Sequence, residues 1–135
     1  MRNMKSTSPL TSSLARVRGL GSAKDGVHHW WMQRLTAVLL VPLSIWFVVE
    51  LVSELAGANR VEVAAWLENP FAAVMLSGLL VSGLWHGKLG IQVVIEDYIH
   101  NESLRLFAIF ANSFAFWAMG ILSLFAIIKL HFFGI

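Results

Sequence analysis

The chain contains no cysteine. Disulfides, thiolate-held iron–sulfur clusters and cysteine zinc sites are thereby excluded, and histidine is left as the strongest metal ligand available. Charge is scarce too. Asp, Glu, Lys and Arg make up 13% of the 135 residues, where a soluble domain carries about a quarter. Apolar residues take their place, at 57%. The expectation is a small all-α membrane protein of one domain. The formal net charge of +2 is modest and the basic residues crowd the N-terminus, so nothing in the charge points to nucleic acid. No internal repeat is visible.

Residues 1–27 are rich in Ser, Thr, Gly and Arg and hold one acid, Asp25. That composition mimics a mitochondrial transit peptide, and no short apolar core ends in a small-residue cleavage site as in a secretory signal. The sequence reads as a retained cytoplasmic tail over 1–29, followed by an anchor domain over 30–135. Three apolar segments of about the ~20 residues a crossing helix needs span roughly 35–55, 71–95 and 104–128. Pro42 falls inside the first and is expected to bend it. Residues 56–69 make a polar loop closed by Asn69-Pro70, within which Val61 to Leu67 could form a short interfacial helix. Residues 96–103 form a brief acidic turn. Arg16, Arg18, Lys24 and Arg34 precede the first span and only Arg60 follows it, so the N-terminus is expected in the cytoplasm.

The stretch Ser82 to Tyr98, SGLWHGKLGIQVVIEDY, holds the residues with chemistry. His86 is an ionisable group inside a span, which marks it as functional unless a neighbour satisfies it. At ~100° per residue, the eleven steps to Asp97 return to nearly the same face. Gly83 and Gly90 lie beside that face and would admit a flat ligand or a second backbone. Tyr98 sits ~18 Å along the axis from His86, so one site would lie within the bilayer and another at its edge. Two readings of His86 stay open: a histidine hydrogen-bonded to a neighbouring helix, or an axial ligand to haem iron. Asp97-Tyr98 reads either as a polar helix end at the interface or as a hydroxyl donor with an acid beside it. Arg34, at the mouth of the first span, either snorkels to headgroups or clamps an anionic group. Lys88 lies roughly opposite His86 and has no assigned role. Glu50 and Glu54 read as solvated at the outer end of the first span. His28 and His29 are adjacent, point in different directions and do not by themselves make a metal site.

Two stretches, Gly26-Val27-His28 through Arg34-Leu35-Thr36-Ala37 and His86-xxx-Gly90 through Asp97-Tyr98, resemble the hydrophobic membrane anchor subunits of succinate dehydrogenase, respiratory complex II. The resemblance covers about residue 20 to the C-terminus. It implies a three-helix anchor, non-catalytic alone, in a bacterial inner membrane. It implies that His86 ligates one side of a haem b whose other axial histidine comes from a companion cytochrome b anchor subunit. It further implies that Tyr98 hydrogen-bonds a ubiquinone carbonyl with Asp97 beside it, and that Arg34 lies near the haem propionates and the quinone. The implied partners are that companion, an iron–sulfur subunit and a flavoprotein subunit, besides membrane lipid. Rival readings are a structural subunit of another respiratory complex, a fumarate reductase anchor and a small transporter protomer. Three spans are too few to enclose a pathway, which weighs against the last.

Overall fold

The computed structural model describes residues 24–134, so residues 1–23 of the cytoplasmic tail expected over 1–29 lie outside the described residues, while 24–29 are already helical. Helix α1 (Lys24–Glu50) contains Pro42 and continues past it into one wider π turn, Leu51–Leu55. The missing N–H of a proline is tolerated in an apolar span because neighbouring groups re-satisfy the freed carbonyl. The chain then reverses at Gly57, whose φ of +82° lies in the left-handed region that only glycine enters freely.

The expected interfacial helix is present as α2 (Arg60–Glu68), and its start is written in the sequence. Asn59 Oδ1 accepts from the backbone N–H groups of Val61 and Glu62, while Glu62 Oε2 accepts from the Asn59 N–H at 2.7 Å. This reciprocal capping box satisfies donors that a helix start otherwise leaves bare. Asn69 then caps α3 (Pro70–Tyr98) through Phe71 N, with Pro70 in the first turn, where its missing N–H costs nothing. Asn101 caps α4 (Glu102–Phe133) through Leu104 N. The acidic turn of 96–103 is therefore shorter than expected, because α3 runs on to Tyr98. At 1.5 Å per residue, α3 and α4 are roughly 44 and 48 Å long. Both exceed the ~30 Å hydrocarbon layer, so they tilt or project beyond it.

Helix α3 is the centre of the molecule. It packs against α1 on one side and α4 on the other, and those two do not touch each other. Small residues set both contacts. On the α1 side, a Cβ at Gly78 would meet Leu43 and one at Gly83 would meet Leu40. On the other side, a Cβ at Gly87 would come within 3.2 Å of the Phe116 ring, so the close approach of α4 depends on that glycine. Asn112, buried on α4, donates to the Lys88 carbonyl at 3.0 Å across the same seam.

Helix α2 closes the far end of the bundle. Leu67, Ala73 and Ile127 form a small core there, flanked by Trp66, Leu76, Leu80 and Leu130. Trp66 stacks on Trp46 and donates its indole N–H to Glu50 Oε2 at 2.7 Å, while His131 Nδ1 donates to the Leu67 carbonyl at 2.8 Å. Glu50 is thus a bonded acceptor rather than the merely solvated acid expected. Elsewhere the long helices present large apolar side chains outward, among them Val38, Val52, Phe110, Phe114 and Phe125. An apolar surface of that extent is compatible with lipid and partner helices, not with water. Three membrane-spanning helices follow.

Candidate functional site

On α1, His29, Gln33, Thr36 and Leu40 recur at intervals of four, three and four, which places them on one helix face. On α3, Gly83, His86 and Gly90 do the same. These two faces meet. The glycines bring the helices close enough for His86 to reach α1, and a Cβ at Gly90 would lie 3.8 Å from the Gln33 amide.

Both ring nitrogens of His86 face α1. Nδ1 lies 3.1 Å from Thr36 Oγ1 and 3.2 Å from the Gln33 carbonyl oxygen. Thr36, only 6% exposed, sends its single hydroxyl proton back to α1, where Met32 O and Gln33 O lie at 2.8 and 3.0 Å. Nε2 is less well served. The nearest polar group is Gln33 Nε2 at 3.4 Å, longer than a well-formed hydrogen bond. The other end of that amide, Gln33 Oε1, is buried and has no partner among the described residues.

Beside His86 opens a cavity of about 630 Å³, lined from α1 by His29, Trp30, Gln33, Arg34 and Ala37 and from α3 by Gln92, Val93 and Glu96. Its size suits a small-molecule or cofactor ligand. Arg34 stands at this groove with its guanidinium 4.3 Å over the Trp30 ring, so the one fixed cation on the wall is held by an aromatic face. Opposite, Glu96 Oε1 accepts from the Gln92 amide at 2.8 Å. His29 Nε2 is a second buried polar atom without a partner among the described residues.

The structure therefore brings His86 and Arg34 to one groove. It leaves Asp97 and Tyr98 outside that groove, exposed at the end of α3, with Tyr98 77% accessible. Lys88 points away from His86, and its ammonium sits 5.2 Å over the Trp85 ring at the α3–α4 seam. His28 is exposed. Among the described residues no group of three or more His, Asp or Glu gathers to hold a metal. Gln33 and Thr36 carry no role in the sequence reading. Their signal was the polar stripe His29-Gln33-Thr36, at the same helical spacing as Gly83-His86-Gly90.

Comparison with known proteins decides the family. A family model described as the succinate dehydrogenase/fumarate reductase transmembrane subunit matches residues 7–120. The chain belongs to that family. The succinate dehydrogenase hydrophobic membrane anchor subunit of Rickettsia bellii is 41% identical over 96 residues, covering 70% of this chain and 74% of that one. The subunit of the same description from Rickettsia conorii is 35% identical over 94 residues, covering 70% and 75%. That of Paracoccus denitrificans is 28% identical over 114 residues, covering 84% and 87%. No solved structure matches significantly. The three apolar helices are thus those of a succinate dehydrogenase membrane anchor subunit, a part that works in association with the other subunits of its complex.

Proposed function

We propose that this anchor subunit would supply one ligand, His86, to a haem b shared with a companion cytochrome b subunit, and part of a ubiquinone-reduction site. The observation that carries the reading is the unequal treatment of the two His86 nitrogens. A purely structural histidine would satisfy both. Here Nδ1 has two partners, whereas Nε2 faces a stretched amide contact beside a 630 Å³ groove. The buried, unpartnered Gln33 Oε1 on that groove is a cost of ~1–3 kcal/mol. Such a group is better explained by an occupant than by packing. An imidazole beside a groove that carries an arginine on its wall suits a haem, which would set His86 toward the iron and Arg34 toward an anionic substituent. When bound, the haem would supply one-electron storage.

The chain's own residues do the rest. Arg34 neutralises negative charge without being able to lose its proton. At the end of α3, the Tyr98 hydroxyl donates a hydrogen bond to a quinone carbonyl, with the Asp97 carboxylate adjacent to accept or pass protons. Both side chains are exposed in the isolated chain, so companion subunits complete that pocket. The iron–sulfur and flavoprotein subunits dock on the cytoplasmic side of a bacterial inner membrane, the side to which the basic N-terminal segment assigns the start of α1. The subunit performs no bond chemistry alone.

The test is a reduced-minus-oxidised optical spectrum of the purified complex carrying His86→Ala. The expected result is a haem that is high-spin, loosely held or lost, with the helix intact because alanine is the better helix former. A low-spin haem at full occupancy in that variant would refute the assignment.

A further inference from the structure

We infer that Thr36 is a positioning residue for the haem-ligating nitrogen of His86, selecting the tautomer in which Nδ1 carries the proton and Nε2 the free pair. The inference rests on the haem reading of His86 and adds to it which ring nitrogen faces the iron and what holds it so.

The assignment follows from counting protons around Nδ1. Four polar atoms meet there: His86 Nδ1, Thr36 Oγ1, and the carbonyl oxygens of Met32 and Gln33. The two carbonyls only accept. The hydroxyl owns one proton and has a carbonyl at 2.8 Å to receive it. If Nδ1 were unprotonated, the hydroxyl would have to abandon both carbonyls to serve it, and the Gln33 carbonyl would face a lone pair at 3.2 Å. With the proton on Nδ1, every contact is attractive: Nδ1–H donates to Thr36 Oγ1 and to the Gln33 carbonyl, and Thr36 O–H donates to Met32 O. Thr36 is buried between α1 and α3, so water does not compete for its place. The second nitrogen is then left with a lone pair that only the long Gln33 amide contact engages. That is the form a metal-ligating imidazole needs, and a hydrogen bond from the far nitrogen also raises the basicity of the ligating one.

A more basic imidazole favours ferric iron, so weakening the Nδ1–H bond should raise the haem midpoint potential. Thr36→Val keeps the branched shape and deletes the acceptor. In membranes containing the assembled complex, Thr36→Val should retain a low-spin haem whose redox titration is shifted to more positive potential. Haem retention against a scavenging apoprotein should fall roughly ten-fold, the low end of what such outer contacts contribute. Thr36→Ser, which restores the hydroxyl, should return both readings toward wild type. If Thr36→Val fails to assemble, Thr36→Ala carries the same expectation. A haem in Thr36→Val or Thr36→Ala that titrates at the wild-type potential, or a Thr36→Ser variant no closer to wild type than Thr36→Val, overturns the positioning role while leaving His86 as ligand. A wild-type complex that holds no haem overturns the ligand reading itself, and this inference with it.

Discussion

Tyr98 and His86 stand on one helix, yet the structure treats them differently. His86 is inserted between α1 and α3 and held by Thr36 and Gln33, whereas Tyr98 projects from the end of α3 with its ring largely bare. Its hydroxyl makes no hydrogen bond among the described residues, and its backbone carbonyl accepts from His100 Nδ1 at 3.1 Å. A donor left free at a helix end is available to a ligand, and Tyr98→Phe removes that donor while keeping the ring. Losing a hydrogen bond to a buried partner costs ~1–3 kcal/mol, and each ~1.4 kcal/mol is ten-fold in rate. Tyr98→Phe should therefore lower ubiquinone reductase activity about ten-fold or more. Succinate oxidation with an artificial acceptor that bypasses the membrane, measured on the same preparation, should stay at its wild-type rate. Ubiquinone reduction at the wild-type rate would return Tyr98 to an ordinary interfacial tyrosine.

Among the long helices, α3 carries the molecule because it alone packs against both of the others. The glycines in its middle are not equivalent. A methyl at Gly83 would meet Leu40 Cδ2 at 3.7 Å, an ordinary contact, whereas one at Gly87 would press on the Phe116 ring at 3.2 Å. Gly83→Ala should be close to neutral, since a modest gain in helix propensity comes with no clash. Gly87→Val should force α4 outward or Phe116 off its rotamer, at ~1–3 kcal/mol. The check is the temperature at which the detergent-solubilised complex loses quinone reductase activity. It should fall by several degrees in Gly87→Val and hold steady in Gly83→Ala. An equal fall in both would mean that the α3–α4 seam is no tighter than the α1–α3 seam.

For the whole molecule, the decisive feature is how little of it is covered. No large side chain among the described residues is fully buried, and α1 and α4 each touch only one long helix. The groove at His86 is open, and its wall is built from α1 and α3 alone. The chain should thus accumulate poorly when produced alone and be stabilised when produced together with the companion anchor subunit. Affinity purification from such cells should recover the companion with it, and the flavoprotein and iron–sulfur subunits when those are also present. Recovery of this chain as a stable, haem-loaded homo-oligomer would contradict the shared site.

Much of this was legible along the chain because it is local. The three spans follow from runs of apolar residues, and the starts of α2, α3 and α4 follow from Asn59, Asn69 and Asn101, whose side chains bond donors two or three residues on. The face shared by Gly83, His86 and Gly90 follows from helical periodicity alone. Helix ends were less legible, since α1 begins by Lys24 and α3 reaches Tyr98: a polar residue in a helical turn outside the hydrocarbon leaves no hydropathy signal. What tertiary structure alone decided is which faces meet. Periodicity places Gln33 and Thr36 on one stripe of α1, but a stripe names no partner. Only the register of α1 against α3, set by the glycines that let the backbones close, puts Thr36 on Nδ1 of His86 and gathers Arg34 to the same groove while leaving Asp97 and Tyr98 outside it.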